Sequence, residues 1–472
     1  MTTTAMTTTK PTATEPSQLK YAKFSLSAPQ SNLQIAQHMY ELMFRNVASD
    51  GFVFTDPTNP SQFSTRGCII ASPSYEQDLV VVNQNYVYNW TRDAAIAAME
   101  LAAANMPTRP GEAPQPLIDY VNFASLCQNN AVNNGKPIGW STYTIEGQPW
   151  QDRERQDDGP ALQTLAILQA YSQLDAPTQA TAQTVIAANL NYLLGPSPSN
   201  SNIPVYQDQT TNLWEEQNGF SFFARAVQLR CFQQIASNTY GIPVPGATAA
   251  AITWLQNALT SHWNGQYYVT LLPQRNAASG FPYDPNTDIV LASSYGAVPC
   301  TDTKLLATAA LLWSQWANKT SQWYFPINGA DLSGGRGPMV GRYPGDTYDG
   351  DTNEPVLGGH PWALCTCNFA ALYYNLANAI SGSQSVPYDN FSAPFFNQIG
   401  IQQSPTAAQA VTALQNYGDM MLSAIIFHSD HLELSEQFDG TSGYEKSVSN
   451  LTWSYAAFLS AVRAKTGSAV LG

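Results

Sequence analysis

Residues 33–46, LQIAQHMYELMFRN, place apolar side chains at i, i+3, i+4 and i+7, the pattern that lays one apolar stripe along a 3.6-residue helix. Segments with the same period begin near Thr91, Leu117, Pro160, Ala180, Gly219, Thr248, Thr303, Pro361, Thr406 and Ser449. The spacing predicts about eleven or twelve helices of roughly 12 to 20 residues. Between them run long connections rich in Gly, Pro, Asn and Asp, such as residues 133–159 and 264–300. A few β-prone stretches, 266–272 among them, read as short hairpin strands. No solenoid-type repeat period recurs, so the helices are expected to close on themselves as an all-α toroid. Connections longer than about 15 residues are uncommon unless functional. Chemistry is therefore expected on these loops or at helix starts.

Composition narrows the class. A length of 472 residues corresponds to about three domains by a simple prior, yet no linker divides residues 30–465. The expected organisation is a disordered leader, 1–20, followed by a single domain, 21–472. The leader is rich in Thr, Pro and Ala with no apolar h-region, so it is not a secretory signal. Apolar residues make up 44% of the chain, but none of their runs reaches the roughly 18 residues a membrane helix needs. A net charge of −14 with only 20 Lys and Arg argues against nucleic acid, which is bound through neutralised phosphates. It fits a neutral, hydroxyl-rich ligand better. The six cysteines show no C-x2-C pairing, so no metal is expected, and no cofactor either; free thiols and disulfides remain equally open.

Two short pieces carry the chemistry: LWEEQNG, with Glu215 and Glu216, and LSEQFD, with Glu436 and Gln437. Each sets a carboxylate among aromatics and amides in a chain where only 11% of residues are charged. Breaking a glycosidic bond needs two such groups, one protonated to release the leaving oxygen and one ionised. Different surroundings can hold two acids in those different states. Aromatic neighbours stack on sugar faces, and amides bind hydroxyls. Each piece alone is as easily structural.

Other pieces fit a sugar site. In YVYNWTRD, Tyr86 and Trp90 precede Arg92 and Asp93 at a helix start; Asp93 can accept sugar hydroxyls while Arg92 donates. The alternative there is a helix cap by Thr91 beside a structural ion pair. Trp150 precedes QDDGPAL, which puts Pro160 in a helix's first turn. The turn-rich GRYPGDTY, with Arg342 and Asp346, leads to His360, Pro361 and Trp362.

Taken in order, GCIIASPS, YVYNWTRD, DGPAL, NLWEEQNGFSFF, VGRYPGDTYDG, HPWALCT, LSEQFDG and NLTWSYAA resemble the fungal-type glucoamylases, the family 15 glycoside hydrolases. The resemblance runs from about residue 64 to 464. It implies an (α/α)6 barrel of six inner and six outer helices with a pocket at one end. It also implies an exo-acting, inverting glucan 1,4-α-glucosidase that frees β-glucose from the non-reducing ends of starch, glycogen or malto-oligosaccharides.

By the same resemblance Glu215 is the general acid and Glu436 the base that activates water, assisted by a hydroxyl such as Ser447. Arg92, Asp93 and Arg342 hold the terminal glucose, Tyr86 lies near the developing positive charge, and Glu216 binds the next sugar. Trp150, Trp214 and Trp453 wall the pocket; Trp90, Asp346, Trp362 and Gln437 support it. Glu216 and Trp214 are expected to help keep Glu215 protonated.

The chain departs from the family at three points. Asn212 stands three residues before Glu215 where many relatives carry Asp, which is expected to alter the protonation or orientation of the acid. Gly345 replaces an acid common in its loop. The stretch between Trp150 and Asp158 is about two residues longer than usual, with Asp157 in place of an arginine. These changes bear on linkage and chain length. No Ser/Thr-rich linker or starch-binding module follows the last predicted helix. Relatives with the same barrel act on isomaltose, dextran ends or trehalose, and a non-catalytic glucan-binding scaffold is the alternative of another class. Relatives are mostly secreted monomers, but no signal peptide is visible here, which leaves an intracellular or unconventionally exported enzyme open.

Overall fold

Fourteen α-helices order the described residues: α1 (Asn32–Phe44), α2 (Thr91–Ala103), α3 (Gln115–Asn133), α4 (Gly159–Ala170), α5 (Ala176–Leu194), α6 (Phe222–Ser237), α7 (Thr248–Thr260), α8 (Asp288–Tyr295), α9 (Thr303–Ala317), α10 (Pro326–Ser333), α11 (Ala363–Ser383), α12 (Ala393–Gln398), α13 (Ala407–His428) and α14 (Thr452–Thr466). The computed structural model describes residues 30–74, 85–106, 108, 112–151, 153–352, 354–403 and 405–471. The leader expected at 1–20 lies outside them.

Side-chain patterning sorts these helices into two kinds. On α5 the buried positions are Thr178, Ala182, Val185, Ile186, Asn189, Leu190 and Leu193, a stripe on an otherwise wet helix. On α2 every residue from Thr91 to Ala102 is buried, and on α4 every residue except Gln169. A helix buried on all sides must have neighbours on all sides. Packing supplies them: α2 lies against α4, α4 against α6, α6 against α8, α8 against α11, α11 against α14, and α14 against α2 again. That ring is closed. Around it, α1 covers α14, α3 and α5 cover α2 and α4, α7 covers α6, α9 covers α8, and α13 covers α11. The fold is an (α/α)6 barrel, with α10 and α12 as short additions.

The ring has two unlike ends. Four of the six outer helices start with side-chain caps: Ser31 and Thr406 form capping boxes on α1 and α13, and Asp175 and Asp302 cap α5 and α9, while α3 and α7 have none. Of the inner helices, α6 is capped by Ser221, and α2, α4, α8, α11 and α14 start without a side-chain cap. The candidate residues all lie in the loops entering the six inner helices or in their first turns, with Trp214, Glu215 and Glu216 before α6. Deeper in the ring, Glu100 of α2 is paired with Arg463 of α14 at 2.6 Å, and packed apolar side chains fill the remainder.

Three expectations change. The stretch 264–300, read as a connection, contains α8, which is one sixth of the inner ring. Its sequence DIVLASSY is short, β-branched and buried almost throughout, so it has no polar face to reveal a period. Thr91 is the first helical residue of α2 and not its cap; Trp90 holds the cap position without a side-chain bond. The β-prone 266–272 contributes only Leu271–Leu272, which pairs with Asn218–Ser221 beside Thr210–Thr211. All six cysteines are unbridged, and five are buried. No helix among the described residues is long and apolar enough to cross a membrane.

Candidate active site

Glu215 stands on a turn built by Asn212. The Asn212 backbone N–H donates to Gln217 O at 2.9 Å, and Glu215 N–H donates back to Asn212 O at 3.0 Å. The Asn212 side-chain oxygen accepts the N–H groups of Glu216 and Gln217 at 3.1 and 3.2 Å. This holds Glu215 at φ +63°, a left-handed conformation uncommon for a residue with a Cβ and often found where a side chain is aimed for function. The turn sends Glu215 and Glu216 to different partners.

The Glu215 carboxylate faces donors on three elements. Its Oε1 accepts from Trp90 Nε1 at 2.7 Å and Gln156 Nε2 at 3.0 Å, with Arg92 at 3.7 Å. Its Oε2 accepts from Arg153 at 2.9 Å. Glu216 does not crowd it. Its carboxylate is taken by Arg342 at 2.8 Å and by the hydroxyls of Tyr283 and Tyr343 at 2.8 and 2.7 Å. The like charge expected to act on Glu215 is therefore compensated by a cation of its own.

Glu436 approaches from the loop entering α14. Its N–H donates to Val448 O, and its own carbonyl accepts from Ala363 at the start of α11. The side chain is buried, with Ser447 Oγ donating to Oε2 at 2.6 Å and the Tyr86 hydroxyl to Oε1 at 3.3 Å. Burial pushes its carboxyl up from the ordinary range, while Ser447, Arg342, Tyr348 and Tyr86 pull it back.

Both carboxylates line one cavity of about 250 Å³, together with Tyr86, Trp90, Arg92, Asp93, Arg153, Trp214, Glu216, Arg342, Tyr348, Trp362 and Trp453. Arg92 is fixed by Gln156 and by Asp158 at 3.3 Å, and its guanidinium lies over the Trp453 ring. Asp93 Oδ2 sits 3.4 Å from Arg92 Nε, yet it has no hydrogen-bond partner although buried. Desolvation raises the Asp93 carboxyl to about 7 against the pull of Arg92. Arg342 is clamped by Asp346 at 2.8 and 2.6 Å and lies among the Trp214, Tyr343, Tyr348 and Trp362 rings. A buried unpaired acceptor beside fixed donors and ring faces is what a sugar hydroxyl array requires.

Four expected residues stand one layer back. Asp346 orients Arg342, and Ser447 orients Glu436. The buried Gln437 accepts Gly350 N–H and donates to Tyr348 O. Trp150 stacks flat on Tyr88 at 4.1 Å, and Arg153 covers its other side, so Arg153, not Trp150, meets the cavity. Sequence reasoning assigned no role to Arg153, Gln156, Tyr283, Tyr343 or Tyr348. Gln156, Tyr343 and Tyr348 fall inside quoted segments, and this was the one available signal. Gly345 is explained by space: a Cβ there would lie 2.6 Å from Pro282 O and 3.1 Å from Ala277 Cβ, so no acid fits. Among the described residues no group of acids, histidines and cysteines is arranged to hold a metal.

Known proteins resemble this chain in sequence and fold. Glucoamylase 1 of Rhizopus oryzae is 28% identical over 444 residues, covering 86% of this chain and 68% of the relative. The intracellular sporulation-specific glucoamylase of Saccharomyces cerevisiae is 26% identical, covering 83% of this chain and 77% of its own length. The solved glucoamylase of Hormoconis resinae superposes with a TM-score of 0.73 at 23% identity, over 92% of this chain and 73% of that one. That of Saccharomycopsis fibuligera gives 0.72 at 20%, over 92% and 95%. At such identities the superpositions speak for the fold alone. The profile of Glycosyl hydrolases family 15 matches residues 40–463, nearly the whole barrel, and the chain belongs to that family of glycoside hydrolases.

Proposed function

We propose that the protein is an exo-acting glucan 1,4-α-glucosidase, a glucoamylase, which removes glucose from non-reducing ends with inversion. The observation that carries this reading is the pair of carboxylates, Glu215 and Glu436, in one cavity of about 250 Å³ at the end of a filled ring. Such a cavity suits one sugar unit and has no exit below, so it takes chain ends and not chain middles. Glu215 is the general acid, delivering a proton to the glycosidic oxygen. Glu436, braced by Ser447 and Tyr86, is the base that takes a proton from water as that water attacks the anomeric carbon. Arg92, Asp93 and Arg342 hold the terminal glucose, and Tyr86 faces the positive charge that develops on its ring. Glu216 is a hydroxyl acceptor for the next sugar.

The relatives named glucoamylase and the family resemblance support this reading; that the enzyme is a monomer acting outside the cell is part of the proposal and rests on the resemblance alone, since one relative is intracellular. Sedimentation and cell fractionation check those two points. The reaction itself is tested by adding the enzyme to maltoheptaose and following fresh product by proton NMR. β-Glucose is expected first, with α-glucose arising only by mutarotation. α-Glucose appearing first would mean a retaining pair and would refute the assignment of Glu436 as base.

A further inference from the structure

Every hydrogen-bonding partner of the Glu215 carboxylate among the described residues is a donor. Trp90 Nε1 and a guanidinium have no acceptor to offer. Gln156 has one, but its Oε1 is turned to Arg92, itself a donor only, which leaves the amide Nε2 on Glu215. Oε1 is thus held by two N–H groups, and Oε2, on the cavity side, by Arg153. A proton placed along any of these three directions would face an N–H hydrogen. With Arg153 in this position Oε2 is engaged by a charged group that has no acceptor to offer.

Arg153 also lies where a leaving group has to go. Its guanidinium covers the Trp90 ring at 5.2 Å and the Trp150 ring at 4.7 Å, and it lines the cavity beside Glu215. Those indole faces are the apolar surfaces on which a second sugar can stack. The side chain is 31% exposed, unlike Arg92 and Arg342 at 5% and 4%. It enters from the lengthened stretch between Trp150 and Asp158, with the buried carboxylates of Asp158 and Asp346 reserved for the other two arginines. Arg153 is the one cation of the three with an open side.

We propose that Arg153 is a displaceable positioning residue that occupies the leaving-group side of the empty site, so that Glu215 takes up its proton when the leaving-group sugar arrives. The sugar pushes the guanidinium off Oε2 and out to solvent. Glu215 then accepts one proton from water or buffer and passes it to the glycosidic oxygen as that bond breaks. Water attacking the anomeric carbon gives its proton to Glu436, and that proton is released with the products. This inference rests on the glucoamylase reading and deepens it.

The test compares pH profiles on maltose for wild type, Arg153→Met and Arg153→Lys. The profile of kcat/KM reports the free enzyme and that of kcat the loaded one. Removing a charged donor from a carboxylate is expected to raise the alkaline limb of kcat/KM in Arg153→Met by about one pH unit. The alkaline limb of kcat stays in place, because the arginine has already left the loaded enzyme. Arg153→Lys restores a donor-only cation and moves the limb back toward wild type; circular dichroism confirms that both variants fold. Limbs that do not separate, or a tenfold loss of kcat/KM at the acidic optimum in Arg153→Met, would overturn the proposal and make Arg153 an ordinary wall or binding residue. A wild type that releases no glucose from maltose or maltoheptaose refutes the functional reading itself, an outcome distinct from active enzymes with coincident limbs.

Discussion

Ser447 donates its hydroxyl to Glu436 Oε2 across 2.6 Å, from a backbone turned to φ +65°. The strained residue is held from outside the site: its N–H donates to Asp351 at 2.7 Å, and Lys446 pairs with Asp349 and Asp351. That hydroxyl stabilises the ionised base. In Ser447→Ala the acidic limb of kcat/KM should move to higher pH, because burial then acts on Glu436 with less opposition. An unmoved acidic limb would show that the hydroxyl positions water without tuning the carboxylate.

Glu215→Gln and Glu436→Gln should each lower kcat by about 10²–10⁴-fold, the usual worth of a general acid or base. Both amides are nearly isosteric, so Tm should stay close to wild type and maltose should still bind. Either variant retaining a tenth of the activity would remove its residue from the mechanism.

Stability should fall as the solution is made alkaline. Asp93, Asp157 and Asp288 are raised to about 7, Asp284 to about 8 and Glu445 to about 7, each chiefly by desolvation. The folded chain therefore keeps protons that the unfolded chain releases near pH 4. Their stabilising contribution is complete below that pH and is lost as pH rises through about 7 to 8. Calorimetry should give a Tm several degrees higher at pH 5 than at pH 8. A flat profile or the opposite slope would contradict this.

Asn212 acts as a structural clasp. Besides accepting two N–H groups, it donates to the Tyr283 hydroxyl at 2.6 Å, and Tyr283 donates on to Glu216. Asn212→Ala removes the side-chain acceptor of the Glu216 and Gln217 N–H groups and should cost about 1 kcal/mol, read by urea unfolding, with a higher KM because Glu216 loses its support. Asn212→Asp keeps the acceptor but sets the single Tyr283 proton between two carboxylates. It too should raise KM. The orientation role expected for this position is the one with direct contacts behind it.

The helical character of the chain was legible wherever one face meets water, as on α5, because a stripe has a period. Helix α8 was not, since its eight residues are too few to repeat a period, whereas the longer α2 and α4 were found although buried on all sides. The candidate acids could be read as residue types in chemical company, YVYNWTRD and LWEEQNG above all. Their partnerships could not. Arg153 meets Glu215 from the loop before α4 and Tyr283 meets Glu216 from the loop before α8, and such meetings exist only once the ring brings those loops to one end. Trp150 shows the same limit: an aromatic beside the right motif is placed a layer back by a neighbour three positions on.

The seam of the barrel lies where α14 enters between α2 and α11. It is stitched by Thr452, whose N–H donates to Ala71 O and whose hydroxyl donates to Ile70 O while accepting from Asn46. A nascent chain leaving the ribosome therefore carries its acid long before its base, on a ring that is still open. It acquires a closed pocket only when the segment around Glu436 and α14 has emerged and docked against strands and helices made first. Copies truncated before that segment thus lack both Glu436 and the helix that closes the ring.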